Sequence, residues 1–157
     1  MTMLADLTTS GASVAQVCHL LQNQQWQSAD QVTTELLSGD VSQIACDRLC
    51  GLDRAWREAS QERFGFSVQR DIWLNLGGQL AYAPNRQWEF AATYLKFSRR
   101  VGWLRQNWWR TKWLLPTQLT FSLQAPLGHL PTFCYQRGVD SADAFFWRLT
   151  ICGAMPP

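Results

Sequence analysis

Apolar side chains recur at helical spacing from Val14 to Val101, and after Gly102 they stop doing so. A chain patterned this way has to bury one stripe of each of several helices against the others, which predicts an all-α packing with little room for a sheet. Val14, Val17, Cys18 and Leu21 predict a helix from Ala12 or Ser13 to about Gln24. After a polar link and Trp26, Ser28 stands where it can cap a second helix, striped by Ala29, Val32, Leu36 and Leu37 and stopped by Gly39. So short a link makes the pair antiparallel. Residues 46–60 read as one helix interrupted near Gly51, or as two short ones, with Leu49, Leu52, Ala55, Trp56 and Ala59 between charges. Ser67 is a natural cap for the next helix, which turns Val68, Ile72 and Leu76 inward and ends at Gly77-Gly78. A loop at 79–86 with Pro84 leads to a longer helix from about Gln87 to Arg100, striped by Phe90, Tyr94, Phe97 and Val101.

From Trp103 to Pro131 no stripe survives. The stretch is too apolar for a solvated loop and too broken by Pro and Gly for one strand, so it predicts a long ordered segment packed on the helices, with extended pieces at 117–123. A last helix over 141–153, capped by Ser141, is stopped before Pro156-Pro157. The predicted organisation is a flexible arm at 1–11, one helical domain at 12–131 and a C-terminal extension at 132–157.

At 157 residues the chain can bury roughly two-thirds of its unfolded surface in one core, without disulfides or metal. Five cysteines, at 18, 46, 50, 134 and 152, are an odd number with no framework spacing, and no signal peptide is evident at the N-terminus. They predict reduced thiols and a cytoplasmic protein, and a monomer is expected. Cys46 and Cys50 alone cannot complete a zinc shell, and His19 and His129 lie far from finger spacing. No run approaches the ~20 apolar residues of a membrane span, which leaves at most peripheral membrane contact. No nucleophile elbow, phosphate loop or paired ligand motif points to catalysis.

Nine Trp and eight Phe are more flat surface than a core of this size needs, so some of them should line a surface or a pocket. Between Lys96 and Lys112 six basic residues (Lys96, Arg99, Arg100, Arg105, Arg110, Lys112) alternate with Phe97, Trp103, Trp108 and Trp109, and no acid intervenes. Taking those six from the formal net charge of +2 leaves −4, so the positive charge is local. Guanidinium groups among aromatic faces suit an acidic membrane, single-stranded nucleic acid or a flat ligand bearing carboxylates. Nucleic acid is disfavoured by the low net charge and the lack of a groove-reading motif. A porphyrin fits the third class, its disc against apolar walls and its propionates on Arg or Lys. The plainer alternative is a basic helix end, in which Arg99 and Arg100 offset the C-terminal dipole. His129 is either a hydrogen-bonded structural residue or an axial contact to a porphyrin metal.

Ordered strings sharpen this reading. Trp26-x-x-Ala29-Asp30-x-x-Thr33, Ile44-Ala45-Cys46-Asp47-x-Leu49, Leu52-Asp53-x-x-Trp56, Arg63-Phe64-Gly65-Phe66-Ser67-Val68-Gln69, Arg100-Val101-Gly102-Trp103 and Leu119-Thr120-Phe121-Ser122-Leu123-x-Ala125-Pro126-x-Gly128-His129-Leu130-Pro131 follow one another. From about Val14 to Pro131 the chain strongly resembles the genomes-uncoupled-four family, the tetrapyrrole-binding accessory proteins of magnesium chelatase. The resemblance implies a helical fold like a cupped hand, whose palm holds protoporphyrin IX or its magnesium form. It also implies a non-catalytic regulator of chlorophyll biosynthesis whose protein partner is the large porphyrin-binding chelatase subunit. Arg100, Trp103, Arg105, Trp108, Phe121, His129 and Leu130 are the expected ligand-binding residues. The chain departs from the pattern in its short Ser38–Gln43 connection, in Ala45 where a proline is usual, and in Arg48 where an acid is usual. The tail from Thr132 carries no family string. Those departures point to a second role, a divergent interaction or sensor module, or to another tetrapyrrole such as a bilin or haem.

Overall fold

The computed structural model describes residues 11–80 and 87–154, so the 1–11 arm (Gly11 apart), most of the Pro84 loop and the Pro156-Pro157 stop lie outside the described residues. Helices α1 (Val14–Gln22) and α2 (Trp26–Leu36) form the expected antiparallel pair. Ser13 caps α1 by accepting the Gln16 N–H at 3.1 Å. The second cap is not Ser28: Gln25 stands at the cap position and α2 begins three residues earlier than a Ser28 cap would start it, because Trp26 is buried against Trp56 and edge-on to Phe64, and that packing outweighs a local side-chain cap. A 3-10 turn at Val41–Gln43 leads into α3 (Cys46–Ala59), which runs unbroken through Gly51. There a Cβ would stand 3.3 Å from Val14 Cγ1, so the glycine marks the close approach of α1 to α3 rather than a break.

Helix α4 (Phe66–Asn75) is likewise not capped by Ser67. Asp53 reaches across from α3 and accepts both the Ser67 N–H and its hydroxyl at 2.8 Å, a cap that only tertiary structure supplies. Arg57 holds the same carboxylate at 3.1 Å. On α5 (Gln87–Arg100), Tyr94 and Phe97 face the core and Val101 follows them inward, while the Phe90 side chain lies outside the described set. The last helices are α6 (Phe133–Arg137), which has no counterpart in the sequence reading, and α7 (Val139–Ala154), which begins before Ser141. Residues 132–154 share the core of the rest: Phe133, Phe145 and Phe146 are buried, Phe145 edge-on to Phe66 and Phe146 edge-on to Phe97.

The all-α reading holds, with one small addition. Strands β1 (Leu104–Asn107) and β2 (Arg110–Trp113) make an antiparallel hairpin in the register Leu104–Trp113, Arg105–Lys112, Asn107–Arg110. The extended pieces are therefore not at 117–123, which is a 3-10 turn at Pro116–Gln118 followed by irregular chain. Four-residue strands are too short to raise a readable alternation. Trp26, Trp56, Trp73 and Trp103 are core, and the last three each place the indole N–H on an oxygen, those of Thr33, Gln79 and His129. Trp108, Trp109 and Trp113 lie at the surface. The expectation of reduced thiols fails at one pair: Cys46 and Cys152 are joined, closing a separation of 106 residues, while Cys18, Cys50 and Cys134 are free. Spacing in sequence carries no trace of a pair that α7 brings back onto α3.

Candidate functional site

The hairpin sets the geometry. Opposed residues in an antiparallel pair point to the same side, so Arg105, Asn107, Arg110 and Lys112 share one face while Leu104 and Trp113 belong to the other. The first face lines a hollow of about 290 Å³ together with Leu114 and Gln118, and among the described residues no acidic side chain lines it. The second face opens on a larger cleft of about 510 Å³. Its walls are Ala91, Tyr94 and Leu95 from α5, Trp113 from β2, and Tyr135 with Gly138 at the end of α6. At the turn between the strands Trp108 and Trp109 stack with centroids 4.5 Å apart and are 88% and 74% exposed.

The cleft is aromatic and held in shape. Tyr94 stacks on Trp113 at 5.8 Å, and Trp113 leans towards Tyr135 at 6.5 Å. Tyr94 donates its hydroxyl to the Cys134 carbonyl at 3.0 Å, and Tyr135 donates to the Leu114 carbonyl at 2.5 Å. Burial pushes both phenols above their ordinary value, so both remain neutral donors. Among the described residues no carboxylate, imidazole or thiol lines this cleft, and its aromatic walls suit apolar, flat groups. Among the described residues no three His, Cys, Asp or Glu side chains gather as a metal site.

The residues expected to bind ligand are scattered by the fold. Arg105 is exposed on the cationic ribbon face, Trp108 is at its tip, and Arg100 is exposed at the end of α5. Phe121 is half-buried against the core. Trp103, His129 and Leu130 are interior: His129 is 1% exposed, its Nδ1 lies 2.7 Å from the Val101 carbonyl and its Nε2 accepts the Thr120 N–H at 3.0 Å. That acceptance puts the ring proton on Nδ1 and leaves no lone pair for a metal. Burial lowers its pKa and favours the same neutral form. The Leu130 carbonyl accepts the Gly65 N–H at 3.1 Å. Gly102, at φ +83°, turns the chain where a Cβ would stand 2.7 Å from Pro126 Cγ, so the two glycine-bearing strings pack on each other. Tyr94 was expected in the core stripe alone, and Leu95, Trp113 and Tyr135 were not expected at all. Leu95 had a signal, an apolar residue off the inward stripe of its helix; the others had none before the hairpin and α6 were known.

A family description, GUN4-like, matches residues 8–148. The chain belongs to that family. The match runs past Pro131, where the recognisable strings end, through α6 and into α7. The uncharacterized protein ycf53 of Cyanidium caldarium is 35% identical over 107 residues, 68% of this chain and 38% of that protein. The chloroplastic tetrapyrrole-binding protein of Arabidopsis thaliana is 29% identical over 144 residues, 76% of this chain and 48% of that protein. The chain thus spans half or less of the length of these two relatives. The ligand-free structure of Arabidopsis thaliana GUN4 superposes with a TM-score of 0.65 at 27% identity, covering 88% of this chain and 95% of that one. GUN4 from Chlamydomonas reinhardtii gives 0.62 at 25% identity, covering 92% and 93%. No described helix is long and apolar enough to cross a membrane.

Proposed function

We propose that this GUN4-like protein binds a porphyrin, protoporphyrin IX or its magnesium form, in the cleft between α5, β2 and α6, and acts as a regulatory binding protein rather than an enzyme. The observation that carries the reading is the hairpin itself, which joins an aromatic cleft on one face to three cations on the other. About 510 Å³ lies within the few hundred to ~1,000 Å³ of small-molecule sites. Trp113, Tyr94 and Tyr135 supply flat walls for the disc, and the exposed Trp108–Trp109 pair can fold over its outer face. Strands in a ribbon are only ~5 Å apart, so Arg105 and Lys112 can reach round its edge to propionates leaving the disc. Stimulation of magnesium chelatase through its large subunit, in chlorophyll biosynthesis, belongs to this reading as its physiological end.

Titration with deuteroporphyrin is expected to quench tryptophan fluorescence saturably, since Trp113, Trp108 and Trp109 surround the cleft and its hairpin. No saturable quenching up to the solubility limit sinks the reading and favours an interaction module on the same scaffold. The short 38–43 connection, a departure from the family's pattern, is what favours that second reading. A bilin or haem titrated in parallel tests a preference for another tetrapyrrole.

A further inference from the structure

The joint between α3 and α7 carries a feature that porphyrin binding does not use. The exposed connection after α2 is hung on the body of the molecule at three points. Arg137 of α6 donates to the Gly39 carbonyl, Arg148 of α7 donates twice to the Ile44 carbonyl at 3.2 and 2.8 Å, and Cys46 is bonded to Cys152. Only the last of these ties is covalent. Cys152 is buried with the core and Cys46 packs partly buried against it, but the ring contacts that join Trp73, Phe97, Phe146, Phe145 and Phe66 involve neither sulfur. Cys152 also falls outside residues 8–148, the part that matches the family, so the bond is a property of this chain rather than of that match.

We propose that Cys46–Cys152 is a reversible redox clasp, opened by a dithiol reductant, that sets how firmly the 38–45 connection and the last turn of α7 are held. Three observations favour reversal over a permanent staple. Cys46 is the less buried of the two cysteines, which makes it the side for a reductant to attack, and it is the first residue of α3, where the helix N-terminus stabilises a thiolate. The Arg148–Ile44 tie is independent of the sulfurs and keeps the two ends in register when the bond is open, so it can close again. A third thiol, Cys50, lies one helical turn on and lines the same polar hollow of about 380 Å³ as Gly153, next to Cys152. In the opening step one thiolate of the reductant attacks Cys46 Sγ, the Cys46–Cys152 bond breaks, and the Cys152 thiolate leaves and takes a proton from water. The second thiol of the reductant, as thiolate, then attacks the reductant's own sulfur in the mixed disulfide and expels the Cys46 thiolate. Two protein thiols form and the reductant ends as its cyclic disulfide.

Opening should loosen what hangs there. The 38–45 connection borders α6 through Arg137, and Gly138, the next residue, lines the cleft. That the clasp also tunes the ligand rests on the porphyrin reading; the clasp itself does not. The full chain is equilibrated in graded mixtures of dithiothreitol and its oxidised form, then tagged with a heavy maleimide after denaturation. Three tags are expected at the oxidising end and five at the reducing end, interconverting on reversal of the poise, with Cys50→Ser removing one tag at both ends and leaving the two-thiol step in place. Amide hydrogen exchange in the reduced form is expected to be about tenfold faster or more at 38–46 and 148–154, and unchanged across α4. Cys152→Ser should show the fast pattern at both poises, and Cys46→Ser repeats the test should that variant fold poorly. Five tags at every poise, three tags that never open, or exchange identical in the two forms overturns the proposal. A several-fold weaker deuteroporphyrin affinity in the reduced form extends it to the ligand, and equal affinity in both forms limits the clasp to the connection. Absence of binding in both forms counts against the porphyrin reading alone, because tags and exchange still judge the clasp.

Discussion

Two stretches beyond Gly102 lack any helical period, and in the folded chain they are opposites. Residues 119–131 are tied to the rest at several points, with Ala125 and Gly128–Pro131 buried and Leu123 and Leu127 exposed. His129 bridges Val101 and Thr120, Arg63 donates to the Ala125 carbonyl, and Gln69 donates to those of Gly128 and Pro131 at 2.9 and 2.8 Å. Thr132 closes the stretch on Asp30. Residues 104–113 are paired with themselves, expose three cations and end in two open tryptophans. The stretch with the most recognisable string is bonded into the fold, and the one with the plainer string is the exposed basic and aromatic ribbon. Buried backbone without a helix or ladder needs a particular side chain for each polar group, whereas an exposed ribbon satisfies its own. A distinctive string here marks the difficulty of being buried and irregular.

The largest test of that contrast sets one tryptophan against another. Trp103→Ala empties a fully buried site edge-on to Phe97 and should cost about 3–5 kcal/mol of stability, while Trp108→Ala should cost less than about 0.5 kcal/mol. Urea unfolding of both variants measures it, and similar losses would erase the distinction between the two stretches. Next is Gln69→Leu, close in size, which leaves the Gly128 and Pro131 carbonyls without their donor. The expected loss is about 3 kcal/mol, or a fall of about 10 °C in Tm, read by calorimetry.

Asp30 adds a pH signature to the fixed stretch. It is 3% exposed, and burial raises its carboxyl to about 6 despite two bonds from Thr132. Between the unfolded value of 3.8 and about 6 the native state holds the extra proton, so this group's contribution to stability falls as pH rises through that window and is level above it. Asp30→Asn cannot titrate. Its stability relative to the parent should improve by up to about 3 kcal/mol from pH 4 to pH 7, followed by urea midpoints. A difference that does not change with pH would mean that Asp30 is ionised throughout.

Smaller effects are expected at the ribbon, in affinity rather than stability. Trp113→Ala removes the wall stacked on Tyr94 and should weaken deuteroporphyrin about tenfold or more, for free acid and dimethyl ester alike. Arg105→Ala should weaken the free acid about tenfold and spare the ester, at one salt concentration. Equal losses for acid and ester at Arg105 would remove the cationic face from the site.

The helical stripes were legible because each is a local period, and α1, α5 and the antiparallel α1–α2 pair lie where that period places them. Caps are less legible: the stripe starts α1 at Ala12 or Ser13 without marking Ser13 as its cap, the start of α4 is capped by Asp53 from another helix, and α2 begins at a tryptophan held by α3. Of the expected ligand-binding residues, Arg105 and Trp108 sit on the hairpin, while Trp103 and His129 turn out to be bonded to the chain itself. A basic, aromatic segment is visible as composition; which ring faces outward depends on strand parity and on what packs beneath.

What the sequence determined by itself was therefore the class of packing, the local positive charge between Lys96 and Lys112, and the family strings. All three are properties of neighbours along the chain. Tertiary structure alone decided that Trp113, Tyr94 and Tyr135 share one cleft, that His129 is spent on Val101 and Thr120, and that Cys46 meets Cys152 across 106 residues. The cleft and the disulfide join residues brought together only when α6 and α7 fold back on the rest, with Phe133, Phe145 and Phe146 buried, and the His129 bonds form only when the 119–131 segment folds back on the end of α5; no local period encodes either.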